Sequence, residues 1–318
     1  MQHIAFLFPG QETQYLGMGK EIIEVRKESL ELFDRASAVL GYDLKKLCFE
    51  GPSDILNRRV ISQAAILTTS LAILTVIQNE GVQAGWVAGF SLGEFTALAA
   101  AKVMSLEVAL KIVEMRLQFI LEAMQNRKGA MAAIIGMEER SLLASIQDSR
   151  EEGIVEIANY NSPEQVVVTG DATAVKKALQ LCKKNGAKRV VPLPINVSFH
   201  SSIIGSASYK LERELRKIEL SKPECRILSN YQAKEIRDKK DVLEILPKQL
   251  CNSVQWEQLI RKMISQGVNT FVEIGPKDTL TRFMQTIGNT VDEKIEAYNV
   301  ENTGGLKNLV NDLRFVKS

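Results

Sequence analysis

A chain of 318 residues that is 45% hydrophobic and 25% charged has an ordinary globular composition, long enough for one large domain or two unequal ones. Its net charge of +2 argues against nucleic acid as the main partner, because phosphate binding needs a concentrated basic surface. The four cysteines, Cys48, Cys182, Cys225 and Cys251, stand far apart without a Cys-x-x-Cys, so neither a zinc site nor a disulfide framework is expected and a reducing, cytoplasmic setting fits. The apolar run near the N-terminus is too short, and lacks the basic flank, for a signal peptide. No stretch reads as long and apolar enough to span a bilayer, so no membrane association is expected.

Ile4 to Phe8 is a continuous apolar run ended by Pro9-Gly10, which predicts a buried strand of a parallel sheet followed by a loop at its end, where ligands gather in open α/β sheets. Helical patterns follow over Ser29–Leu40 and, with Asp54 as a possible cap, near Ile55–Arg58. Ser62 to Gly81 reads as a long buried helix in which Leu67, Leu71, Leu74 and Ile77 keep the helical period and Gly81 suits the C′ position.

Trp86-Val87-Ala88 reads as a short buried strand. It runs into Gly89-Phe90-Ser91-Leu92-Gly93, and a run of helix formers follows from Glu94. A Gly-x-Ser-x-Gly at a sharp strand-to-helix turn is the sequence of a nucleophile elbow: it holds the serine hydroxyl out at a strand end, with unpaired helix N–H groups beneath it. Ser105 then caps a helix running to about Met124, with Glu107 in its first turn. Arg116 on that helix shares a face with Ile112, Val113, Phe119 and Ile120. Two readings stand side by side: a snorkelling arginine with its charge in water, or a guanidinium held in a cleft to pair with an anionic substrate group.

From Gly129 the pattern becomes strand (Ala130–Ile135), helix (Glu138–Gln147), two strands (Val155–Ala158 and Gln165–Thr169), helix (Thr173–Lys184) and strand (Arg189–Leu193). That βαββαβ order is ferredoxin-like and predicts an inserted small domain. After it comes Ser198-Phe199-His200-Ser201. The chain has only two histidines, and His3 opens the first strand. Because an activated serine needs a base with a pKa near neutrality, His200 is the candidate by elimination; a surface histidine in a serine-rich loop is the competing reading. Cys225–Ser229 and Thr270–Ile274 read as further sheet strands, Trp256–Gln266 as an amphipathic helix, and the segment after Asn302 as helical through Leu306, Leu309, Val310 and Leu313. Basic residues cluster at Lys183, Lys184, Lys188 and Arg189, and again at Arg237, Lys239 and Lys240; most such runs are solvated faces and a minority dock partners.

Phe8-Pro9-Gly10-Gln11, Gly89-x-Ser91-Leu92-Gly93-Glu94, Arg116, Asn159-x-Asn161-Ser162-Pro163-x-Gln165-x-Val167, Phe199-His200 and Gln249 leading to Val254 and Trp256 stand in one order along the chain. With them the chain closely resembles the malonyl-CoA:acyl-carrier-protein transacylases of fatty-acid synthesis and the related acyltransferases of polyketide synthases, over essentially its whole length. The resemblance implies an α/β fold: an α/β-hydrolase-like large domain with a parallel sheet, residues 1–127 and 196–318, interrupted by a ferredoxin-like small domain, residues 128–195. It implies Ser91 as nucleophile, His200 as general base, the backbone N–H groups of Gln11 and Leu92 as oxyanion hole, and Arg116 as a bidentate partner of the malonyl carboxylate. It also implies Gln249 as orienter of His200 through its backbone carbonyl, and Phe199 as a mark of members that prefer malonyl over methylmalonyl.

Two positions depart from the family pattern. Phe90 stands where a histidine is usual, which removes a polar contact near the bound acyl group, and Glu12-Thr13 replace small residues after Gln11. A carboxylate there would repel a malonyl thioester unless Glu12 points to solvent. The expected activity is ping-pong transfer of malonyl from malonyl-CoA to the phosphopantetheine thiol of an acyl carrier protein, with no metal or redox cofactor. An acyl hydrolase of the same fold is the alternative, against which Arg116 argues. A non-catalytic carrier-protein-binding module would require Ser91 or His200 to be absent.

Overall fold

The computed structural model describes residues 3–315. Among these residues, ten strands form two sheets. In chain order they are β1 (Ile4–Phe8), β2 (Trp86–Gly89), β3 (Gly129–Ile135), β4 (Val155–Ser162), β5 (Gln165–Asp171), β6 (Arg189–Pro192), β7 (Arg226–Leu228), β8 (Glu235–Ile236), β9 (Thr270–Ile274) and β10 (Glu296–Val300). The large sheet has the order β10-β9-β1-β2-β7-β8, parallel throughout except for the antiparallel edge pair β7–β8. The small sheet has the order β4-β5-β3-β6 with every neighbouring pair antiparallel, and two helices, Glu139–Ser149 and Ala172–Lys184, complete its βαββαβ chain order. The fold is therefore α/β with a largely parallel sheet and a separate ferredoxin-like layer.

The central strand β1 feeds two cores, because alternate side chains point to opposite faces. Phe6 and Phe8 join the layer of helices Arg59–Asn79 and Leu106–Ala123, while Ala5 and Leu7 join the layer of helices Trp256–Ser265 and Thr279–Gly288. A third core, with Ile134, Val155, Val168 and Val175, lies between the small sheet and its helices. The segment ahead of helix Trp256–Ser265 is tied to the small sheet: Val254 exchanges backbone hydrogen bonds with Ala158 and Tyr160 of β4 at 2.8 and 2.9 Å.

Two sequence expectations need correction. Helix Arg59–Asn79 is, among the described residues, long and apolar enough to cross a membrane. From Ile61 to Leu74 every residue of it is buried in the fold, the uncharged polar residues Gln63, Thr68, Thr69 and Ser70 included, as the body of a helix apolar all round must be. The short helix before it runs Ser53–Leu56 with Pro52 at its N-cap, so Asp54 lies inside the first turn and caps nothing. Gly81, just past the long helix, adopts φ 81°, the left-handed C′ conformation.

Candidate active site

The site lies where β1, β2, β7 and β9 end at their carboxyl edge, the position at which parallel sheets gather ligands. A pocket of about 260 Å³ opens there between the two sheets. Gly10–Thr13 after β1, Phe90–Leu92 after β2 and helix residue Arg116 line one side, and Met131, Ala133, Asn159, Asn161, Gln165 and Val167 of the small sheet line the other.

Ser91 sits at the predicted elbow with φ 52°, a left-handed backbone that a non-glycine residue adopts only when its surroundings impose it. The two glycines permit close approach. A Cβ on Gly93 would run into the carbonyl of Phe8 at the end of β1, and a Cβ on Gly89 into the carbonyl of Gly93, so helix Gly93–Ala100 can start directly against the sheet. His200 is 3% exposed, and its Nε2 lies 2.7 Å from Ser91 Oγ. Its Nδ1 lies 2.9 Å from the backbone carbonyl of Gln249; with the proton on Nδ1, Nε2 is left as the acceptor facing Ser91. Burial, and then the neighbouring Arg116 cation, hold the imidazole pKa down at about 4, so the ring is neutral at pH 7. Gln11 and Leu92 both line the pocket, and among the described residues neither backbone N–H donates to another group.

Arg116 is 2% exposed, which removes the snorkelling reading. Its guanidinium carbon lies 5.6 Å from the Phe95 ring centroid and 5.9 Å from that of Phe199, and its Nε finds no hydrogen-bond partner. Burial lowers its pKa to about 10, still charged, and the nearby Glu94 carboxylate works against that fall. Glu94 itself is fully buried beneath the elbow, and burial raises its pKa to about 7. Phe199 is buried and lines the pocket. Phe90 turns its ring into an aromatic wall, 5.4 Å from the Trp256 centroid and 6.1 Å from that of Phe283. Glu12 is exposed, with φ 70°, and its backbone carbonyl accepts a hydrogen bond from Lys277 Nζ at 2.9 Å.

The structure adds residues that the sequence reading missed. Asn230, in the turn after β7, accepts the Ser91 N–H on Oδ1 at 2.6 Å and donates from Nδ2 to the Gly89 carbonyl at 2.6 Å; its own N–H reaches Glu94 at 3.2 Å. Gln249 also acts twice, since its side-chain amide donates to the Ser91 carbonyl at 2.9 Å. Gln63 donates to the side-chain oxygen of Gln11 at 3.0 Å and so holds the loop after β1. The signal available for Asn230 was its place at the end of a strand next to β2 in the sheet.

Chemically, this arrangement can take an acyl group onto a serine hydroxyl, with a neutral imidazole in reach of the proton and a buried cation in the same cavity. Fold and site together define an acyl transferase, and the model of the family described as "Acyl transferase domain" matches residues 5–315. The chain is 40% identical to the malonyl CoA-acyl carrier protein transacylase of Bacillus subtilis over 288 residues, 90% of this chain and 91% of the relative. A solved malonyl CoA-acyl carrier protein transacylase from Clostridium perfringens superposes with a TM-score of 0.92 at 38% identity, covering 99% of this chain and 98% of that one. A malonyl-transacylase solved in complex with its type II PKS acyl-carrier protein gives 0.93 at 35% identity, over 98% and 100%. The chain belongs to this acyl transferase family, in the branch of the malonyl CoA-acyl carrier protein transacylases.

Proposed function

We propose that the protein is a malonyl-CoA:acyl-carrier-protein S-malonyltransferase of fatty-acid or polyketide synthesis, working through a malonyl-serine intermediate. Ser91 Oγ attacks the thioester carbonyl of malonyl-CoA while His200 Nε2 takes its proton. The negative charge that develops on the carbonyl oxygen is met by the idle N–H groups of Gln11 and Leu92. The C–S bond breaks and coenzyme A leaves as the thiol, with the proton from His200. The phosphopantetheine thiol of an acyl carrier protein then gives its proton to His200 and attacks the ester, and Ser91 recovers its proton as the malonyl thioester departs. The Gln249 carbonyl orients His200 where a carboxylate stands in the usual triad. The steps use protein groups alone, with no metal or redox cofactor.

Arg116 carries this reading. A buried guanidinium without an anionic partner, in the same pocket as Ser91 and His200, matches the free carboxylate that distinguishes malonyl from acetyl and longer acyl groups. A hydrolase for uncharged acyl chains has no use for that cation. Phe199 and Phe90 shape the remaining wall and limit the acyl group the pocket takes.

The test is intact mass after brief incubation with malonyl-CoA. One malonyl adduct is expected on the wild type, absent from Ser91→Ala and discharged by a holo carrier protein. An adduct that persists in Ser91→Ala overturns the nucleophile, and rapid loss of the adduct to water without a thiol favours the hydrolase.

A further inference from the structure

Beside the catalytic pocket lies a second cavity, polar and of about 680 Å³, walled by Gln14, Asn57, Arg58 and Arg59. It adjoins the first, because Glu12 and the segment Leu193–Ile195 border both. Three observations show a site with unspent cationic binding capacity. Arg58 and Arg59 are the N-cap and first residue of helix Arg59–Asn79, whose first turn holds no acidic residue and whose N-terminus has no side-chain cap. Positive charge at that end opposes the helix dipole, so these residues do not serve the helix. Among the described residues neither guanidinium enters an ion pair, and Arg59 Nε is buried without a partner. The buried Oε1 of Gln14 is likewise unpaired, while its amide nitrogen donates to Asn57 at 3.0 Å. The cavity thus offers two guanidiniums for an anion and one acceptor for an N–H, against the single exposed carboxylate of Glu12.

Resting on the transferase function proposed above, we infer that Arg58 and Arg59 bind the phosphate at the far end of the pantetheine arm whose thioester reaches Ser91. That phosphate is common to coenzyme A and to the carrier protein's prosthetic group. One site therefore serves both halves of the ping-pong cycle, and Gln14 Oε1 meets an amide N–H of the same arm. Guanidinium forks suit phosphate oxygens, and the pair stands free to supply charge-assisted bonds.

The experiment compares malonyl-pantetheine, malonyl-phosphopantetheine and malonyl-CoA as donors for the wild type and for Arg58→Ala/Arg59→Ala. The wild type is expected to favour the two phosphorylated donors. The double variant should raise KM for both by roughly tenfold or more and leave malonyl-pantetheine and kcat unchanged. An Arg58→Lys/Arg59→Lys variant should recover part of the loss, since it restores charge without the fork. Equal loss on all three donors, or none on any, overturns the phosphate site while leaving the transferase reading standing. Loss confined to malonyl-CoA overturns it too, by placing the contact at the nucleotide end. A wild type that turns over none of the three overturns the transferase reading and this site with it.

Discussion

Asn230 Oδ1 accepts the backbone N–H of Ser91 at 2.6 Å, so the nucleophile's own amide is fixed by a residue 139 positions further along the chain. The same side chain bonds the Gly89 carbonyl, and Gln249 Nε2 bonds the Ser91 carbonyl. The left-handed backbone at Ser91 is thereby held from both sides of its peptide units. The Ser91 N–H is thus engaged, whereas among the described residues those of Leu92 and Gln11, which also line the pocket, donate to no other group.

Asn230→Ala strips partners from a half-buried N–H and a buried carbonyl and is expected to cost about 2 kcal/mol of stability. Asn230→Asp keeps an acceptor for the Ser91 N–H and loses the donor to Gly89, so it should fall between the two. Thermal unfolding and the burst of malonyl-enzyme formation measure both effects. An Ala variant with wild-type Tm and burst rate would show that the elbow holds its shape without the strap.

The pH dependence follows from His200. Burial and the Arg116 cation disfavour its protonated form and depress its pKa to about 4, so the neutral base persists as pH falls from 7 and is lost only as pH approaches that value. The acid limb of kcat/KM for acylation, which reports the free enzyme, is expected well below the ordinary histidine value of about 6.5. Bound malonate would neutralise Arg116, so the limb of kcat should lie higher than that of kcat/KM. Arg116→Gln should raise the kcat/KM limb for acetyl-CoA by the same logic. Glu94, held near 7 by burial, is the other group beneath Ser91 that titrates in this range, and Glu94→Gln separates its contribution. A kcat/KM limb that stays near 6.5 in both the wild type and Glu94→Gln would mean that His200 keeps its ordinary basicity in the free enzyme.

The elbow, the long helix and the βαββαβ unit were legible because each rests on a local pattern: glycines at fixed offsets, an apolar period, alternation of element types. β10 was not, because Glu296–Val300 is a partly exposed edge strand without a continuous apolar run. Helix Lys239–Cys251 was hidden by Pro247 inside it. For Arg116, local pattern gave the apolar face and left the charge undecided. Only packing against Phe95 and Phe199 fixes it in the interior. Asn230 and Glu94 meet Ser91 through contacts across the sheet, which no spacing along the chain encodes.

Arg116 separates the transferase from the hydrolase. Its guanidinium is buried among apolar side chains, its Nε is unpaired, and its nearest opposite charge, Glu94, is a carboxyl whose own burial pushes it toward the neutral form. A malonyl carboxylate supplies two acceptor oxygens in the plane of the fork, and binding it converts a costly isolated cation into a satisfied pair. Acetyl-CoA has nothing to offer that site. Arg116→Ala is therefore expected to lose malonyl transfer by a few kcal/mol, roughly 10²–10³-fold in kcat/KM, while acetyl transfer changes little. Arg116→Lys should recover only part of the malonyl activity, because a point charge cannot make the bidentate pair. The measurement is kcat/KM for malonyl-CoA and acetyl-CoA across the three proteins, with release of free acid followed separately. Equal loss on both substrates would make Arg116 a packing residue. A wild type that hydrolyses acetyl and longer acyl thioesters faster than it transfers malonyl would hand the site to the hydrolase.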